Sequence, residues 1–249
     1  VEFRIQDEVI RIAPRDASRL LSVLRDRFRA RRGFALATLN LDHLVKLRQD
    51  SAFLAAYLRH DLVVADGNPV VWLSRLAGRP VGLVPGADMV VPMTRLAAEA
   101  GASVALVGST EAALHAAGEG LCDRVPGVVI AARIAPPMGF DPLGAQGTEV
   151  IAALRASGAG LCLLALGAPK QEIFAARAHA ALPHMGFASI GAGLDFIAGV
   201  QPRAPLWARR LALEWLWRML SSPRRLVPRY ARCAAILPGL MVAAWRLRG

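Results

Sequence analysis

Continuous apolar runs of strand length punctuate this chain, and most end in glycine or a small polar residue. They are Phe34 to Leu39, Leu62 to Ala65, Ser103 to Val107, Val128 to Ala132, Leu161 to Leu166 and Ala188 to Ile190. Most are separated by helix-length segments rich in Ala, Leu and Arg, so the pattern predicts strands alternating with helices. A strand without polar alternation is buried on both faces, which points to an α/β fold with a Rossmann-like, mostly parallel sheet and helices on both faces. The opening stretch, Phe3 to Ile12, alternates and reads as a strand pair turning near Gln6 and Asp7. Gln201-Pro202-Arg203-Ala204-Pro205 marks a rigid boundary. The expected division is an α/β domain over residues 1–202 and a helical appendage over residues 203–249.

Composition sharpens this division. The 249 residues are 55% apolar and 20% charged, enough to bury a large core and contrary to a disordered or collagen-like chain. Cys122, Cys162 and Cys233 lie in apolar stretches without a Cys-x-x-Cys pair, which argues for a reducing compartment and against structural zinc. No basic-plus-apolar leader opens the sequence, so no export signal is expected. The net charge of +11 is uneven: residues 203–249 hold ten arginines against the single acid Glu214, together with four of the five tryptophans. A basic, Trp-rich segment on a nearly balanced domain suggests an anionic surface or ligand reached through the tail.

Within that tail, residues 206–220 read as one helix, with Arg210, Glu214 and Arg218 in a narrow sector. The later apolar stretch, Cys233 to Trp245, is interrupted by Pro238-Gly239. Its thirteen residues are too few to span about 30 Å of hydrocarbon, which favours attachment at the membrane interface over a spanning helix. The competing reading is a helix pair packed on the core or in a homo-oligomer interface. Nucleic-acid binding by the basic tail is the other alternative. The interleaving of arginine with bulky apolar residues and the lack of a nucleic-acid motif count against it.

Ligands of parallel sheets sit beyond the carboxyl ends of the strands, so the residues after each run matter most. Asp66 follows a buried strand and precedes Gly67; its carboxylate can take a proton from a hydroxyl, or serve an Asx turn or cap the next helix. Thr38 and Asn40 occupy the same place one strand earlier, suited to sugar hydroxyls or to capping. In Gly167-Ala168-Pro169-Lys170-Gln171-Glu172, Lys170 falls in a first helical turn. The helix dipole disfavours a cation there, and a bound anion would offset that cost; pairing of Lys170 with Glu172 or Glu149 is the alternative. Gly108 with Ser109-Thr110 forms a phosphate-compatible turn, and Asp195 follows Gly191-Ala192-Gly193, where it can meet a ligand hydroxyl or cap a turn. The P-loop and dinucleotide fingerprints are both missing. The histidines lack metal-ligand spacing, and no two aspartates stand one residue apart, so no metal and no cofactor is expected.

These segments together resemble the WecG/TagA/CpsF glycosyltransferase family. The resemblance rests on Thr38-Leu39-Asn40, Ala65-Asp66-Gly67, Pro85-Gly86-Ala87-Asp88, Pro136-Pro137-Met138-Gly139-Phe140, the Gly167 to Glu172 segment, Gly191 to Phe196, and Arg203-Ala204-Pro205 followed by Leu213-Glu214-Trp215-Leu216-Trp217-Arg218. It implies inverting, metal-independent transfer from a UDP-sugar to a polyprenyl-diphosphate-linked acceptor, at the cytoplasmic face of the bacterial inner membrane, in surface-polysaccharide synthesis. It further implies Asp66 as the base, Thr38 and Asn40 near the reacting sugar, and Lys170, Gln171 and Asp195 around the nucleotide-sugar. Arg203, Arg210, Arg218 and Arg225 are the candidates from the appendage for the departing diphosphate. Where the family is expected to carry an arginine before Pro-Gly-x-Asp, this chain has Leu83-Val84.

Overall fold

The computed structural model describes residues 2–205, 207–208 and 212–248, without the side chains of Arg218, Ser221 and Arg225. An antiparallel hairpin, β1 (Glu2–Ile5) and β2 (Glu8–Arg11), opens the chain. The apolar runs form β3 (Phe34–Leu39), β4 (Leu62–Ala65), β5 (Val104–Gly108), β6 (Ile130–Ile134), β7 (Leu161–Ala165) and β8 (Gly186–Ser189). All six lie parallel in one sheet of order β4-β3-β8-β7-β5-β6.

Successive strand residues feed opposite cores, which explains why these runs lack polar alternation. On one face Leu36, Val64, Leu106 and Leu163 pack with α1 (Ala17–Arg29), α5 (Gly86–Glu99), α6 (Glu111–Arg124) and α9 (Gly193–Ile197). On the other, Ala37, Leu39, Val63 and Ala65 meet α2 (Leu41–Leu47), α3 (Ser51–Tyr57) and α4 (Asn68–Leu76). Farther along that face, Val107, Cys162 and Leu164 meet α7 (Ala145–Ser157) and α8 (Lys170–Ala181). The chain leaves β3 toward one sheet edge and β5 toward the other. Their C-terminal loops therefore diverge around the ends of β8 and β7, the place on that rim where sheets of this order take their ligands.

The C-terminal region departs from the pattern expected of it. Instead of one helix over residues 206–220, the described residues are helical at Trp207 and Ala208, turn at Ala212 with φ +60°, and resume as α10 (Glu214–Ser221). A non-glycine residue in the left-handed region breaks the helical path. The last helix, α11 (Pro223–Arg246), runs through Pro238 and Gly239 without interruption. An interior proline costs a helix about 3 kcal/mol. Burial of Cys233, Leu240 and Ala244, with Ile236 and Leu237 partly buried, offsets that cost by packing α11 on the α2 and α4 side of the core. The segment Leu226–Arg246 is consequently long and apolar enough to cross a membrane by length and composition. The thirteen-residue estimate is corrected by this longer helix.

Candidate functional site

β3 and β4 pair in register, with Thr38 opposite Val64 and Leu39 opposite Ala65, so the residues that follow emerge side by side. The Asp66 N–H donates to the Leu39 carbonyl at 2.8 Å and holds the two strand ends together. Gly67 follows at φ +120°, a conformation that suits glycine, and acts as the N-cap of α4 without a side-chain hydrogen bond. Asp66 is therefore not that helix's cap, and it is a half-buried residue at the rim.

Its neighbours have mixed duties. Asn40 caps α2, its Oδ1 accepting from the His43 N–H at 3.0 Å. Thr38 is buried, and its hydroxyl donates to the Ser189 carbonyl of β8 at 3.3 Å. Thr38 thus ties β3 to β8 just below the rim. Val84 donates its N–H to the Ala65 carbonyl at 2.7 Å while Leu83 is exposed, so the pair standing where an arginine was expected contributes an anchored backbone beside Asp66.

Farther along the same rim, β7 leads into the Gly167–Lys170 turn. Gly167 has φ +72°, and its carbonyl accepts from the Gln171 N–H as α8 begins. Lys170 is half-buried and makes no ion pair among the described residues. Gln171 is 3% exposed and turns inward, donating from Nε2 to Glu172 Oε1 at 2.8 Å. Gln171 therefore supports the turn from below.

Between these loops, Gly108 ends β5 at φ +117°, where an added Cβ would lie 2.4 Å from the Ala165 carbonyl oxygen. Only glycine fits that approach of β5 to β7. Ser109 then donates to Asp195 Oδ1 at 2.6 Å and joins the β5 and β8 loops. Arg203 ion-pairs with Asp88 Oδ1 and stacks 5.6 Å from the Phe196 ring centroid, fastening the chain at the start of the appendage to α5 and α9. Arg210 lies outside the described residues, as do the side chains of Arg218 and Arg225.

A buried polar network missing from the sequence reading underlies this rim. His43 Nδ1 and the Tyr57 hydroxyl are 3.0 Å apart, and both residues are buried. Burial lowers the His43 pKa to about 3, leaving the ring neutral near pH 7. Tyr57 is pushed well above its ordinary value by burial and then by the charges of Glu172 and Asp66. Burial raises the Glu172 pKa to about 7, against the lowering effects of the Gln171 hydrogen bond and the Lys46 charge. Lys46 Nζ in turn donates to the Ala168 carbonyl at 3.0 Å and pairs with Asp42 Oδ2 at 2.9 Å. The i, i+4 spacing of Asp42 and Lys46 was the one readable signal of this network.

The sequence model of the glycosyl transferase WecG/TagA/CpsF family matches residues 8–249, nearly the whole chain. The chain belongs to that family, which makes it a glycosyltransferase of cell-surface polysaccharide synthesis.

Proposed function

We propose that this family member transfers a sugar from a UDP-sugar to a sugar already linked to a polyprenyl diphosphate, with inversion at the anomeric carbon. The observation that carries this reading is the meeting of Asp66 with Asn40 at two adjacent strand ends, across one rim from the Gly167–Lys170 turn. Asp66 takes the proton of the acceptor hydroxyl as that oxygen attacks the anomeric carbon. The bond from that carbon to the diphosphate breaks on the opposite side, and UDP departs with the electron pair. The Lys170 side chain and its backbone N–H at the start of α8 stabilise the charge that develops on the diphosphate, the Gln171 and Ile173 N–H groups being committed to Gly167 and Pro169. Asp195, already held by Ser109, is placed to receive a ribose or sugar hydroxyl.

Peripheral membrane attachment at the cytoplasmic face belongs to the same proposal. One face of α11 packs on the body, whereas Val227, Met241, Val242 and Trp245 are exposed, Trp245 by 65%. At about 100° per residue these four, with Ala234 and Pro238, form a single stripe away from the packed face, with Arg246 on its margin. A helix already committed to the body on one face suits a position along the lipid interface more than across the bilayer.

The deciding experiment offers a panel of UDP-sugars and a lipid-diphosphate-sugar acceptor to the full chain and to Asp66→Asn, with UDP binding measured in parallel. The expected result is turnover lower by a factor on the order of 100 to 10,000 with UDP affinity nearly intact. Near-normal turnover in Asp66→Asn removes that residue from the role of base.

A further inference from the structure

The C-terminal helix α11 reaches the Gly167–Lys170 turn through two ion pairs that share one oxygen. Arg229 Nη2 lies 3.0 Å from Asp42 Oδ2, and Lys46 Nζ lies 2.9 Å from the same atom. Lys46 makes its second contact, at 3.0 Å, to the Ala168 carbonyl inside the turn. Asp42 is buried in the first turn of α2, where its charge is also favoured by the helix dipole.

The Lys46 ammonium is held by charge against the Asp42 carboxylate while it donates a directed hydrogen bond to the Ala168 carbonyl. The Ala168 carbonyl belongs to the peptide unit just before Pro169, so pinning it sets the orientation of the chain that enters α8. Lys46 would swing toward water if Asp42 did not hold it, because its side chain is about one third exposed. Arg229 adds a second cation over Asp42 from α11, which packs on α2. The contacts on Asp42 Oδ2 are ion pairs by distance and do not meet hydrogen-bond geometry, whereas the Lys46–Ala168 contact does; ion pairs covered from water are the stronger ones, and they weaken once water reaches them.

We infer that Arg229 is a positioning residue for nucleotide-sugar binding, acting through Asp42 and Lys46 to hold the Gly167–Lys170 turn in the shape that receives the diphosphate. The inference rests on the proposed UDP-sugar donor for its functional consequence, although the mechanical link does not depend on it. Arg229 itself need not touch the donor, and the sequence gives no hint of its role among ten tail arginines.

The test uses the full-length chain with Arg229→Gln, Lys46→Met and the double variant. Amide hydrogen exchange of the peptide spanning residues 166–172 is followed without ligand, together with the UDP dissociation constant, kcat and the acceptor KM. Each single variant is expected to speed exchange in that peptide and to weaken UDP binding about tenfold, the scale of one partly buried ion pair lost from the turn's support. The acceptor KM should stay within about twofold. The double variant should be no weaker for UDP than Lys46→Met alone, because Arg229 works through Lys46. Unchanged exchange in Arg229→Gln overturns the inference, and so do losses that multiply in the double variant. Asp42→Asn, which removes the shared acceptor, replaces Lys46→Met if that variant does not fold. Wild-type protein that binds no UDP, yet shows the predicted exchange pattern, refutes the donor reading and leaves the positioning link standing.

Discussion

Glu172→Gln should change how stability depends on pH, in a direction fixed by where the carboxyl sits. Glu172 is 0% exposed in the first turn of α8; Gln171 donates to its Oε1 at 2.8 Å, and Oε2 has no hydrogen-bond partner among the described residues. A protonated acid fits that arrangement better than a carboxylate, because burial penalises the charged form. Its pKa is accordingly raised from 4.5 to about 7. An acid raised in the folded state holds its proton where the unfolded chain has released it. Its contribution is therefore fully present below pH 4.5 and is lost as pH rises to about 7. At about 1.4 kcal/mol per pH unit, the whole loss is roughly 3 kcal/mol. Glutamine keeps the shape, retains a donor and does not titrate. In urea unfolding from pH 5 to pH 8, the stability of Glu172→Gln minus that of wild type should therefore grow by roughly 2 kcal/mol. Protonation of His43 and His60 affects both proteins alike and cancels from the difference. A gap that stays constant with pH would show that Glu172 is not buried as a neutral acid.

Three further outcomes follow from other parts of the fold. His60 is lowered by burial to about 4, so the folded ring stays neutral while the unfolded one takes up a proton below pH 6.5; stability contributed by the neutral ring is lost as pH falls from 6.5 to about 4, and His60→Gln should reduce the slope of unfolding free energy in that window by about 1.4 kcal/mol per pH unit. Gly108→Ala would place a Cβ 2.4 Å from the Ala165 carbonyl oxygen at φ +117°; thermal unfolding should show a loss of at least about 1–3 kcal/mol, and wild-type stability would mean that β5 and β7 do not approach so closely. Trp245→Glu places a charge on the outward stripe of α11, where Trp245 makes little contact with the body, and should weaken sedimentation with anionic vesicles at least about tenfold without lowering the unfolding midpoint; undiminished sedimentation would exclude that stripe as the lipid-facing surface.

The contrast between what could and could not be read in advance has a physical basis. The β3 and β4 runs match their observed bounds because a strand buried on both faces leaves an uninterrupted apolar signature, as Leu36 and Ala37 show by facing different cores. The rim followed from the same logic, since a parallel sheet brings every strand's carboxyl end to one side and so placed Asp66 beside Asn40. The tail resisted the same treatment. Its periodicity reads as helix through Ala212, whose positive φ leaves no compositional mark, and as a break at Pro238, which packing of Leu240 and Ala244 overrides. The polar network was hidden for a related reason. Glu172 carries the ordinary sequence signature of a charge in a first helical turn, yet its environment comes from α3 and α2, which are distant along the chain. Asn40 combines both situations: the capping pattern that marks α2 is local, and it commits Oδ1 to the His43 N–H. Its amide nitrogen can still donate to a sugar hydroxyl, and Oδ1 keeps a second lone pair for one more donor. In the proposed reaction a neutral amide of this kind orients a sugar hydroxyl but takes up no proton, which leaves proton removal to Asp66 on that side of the rim.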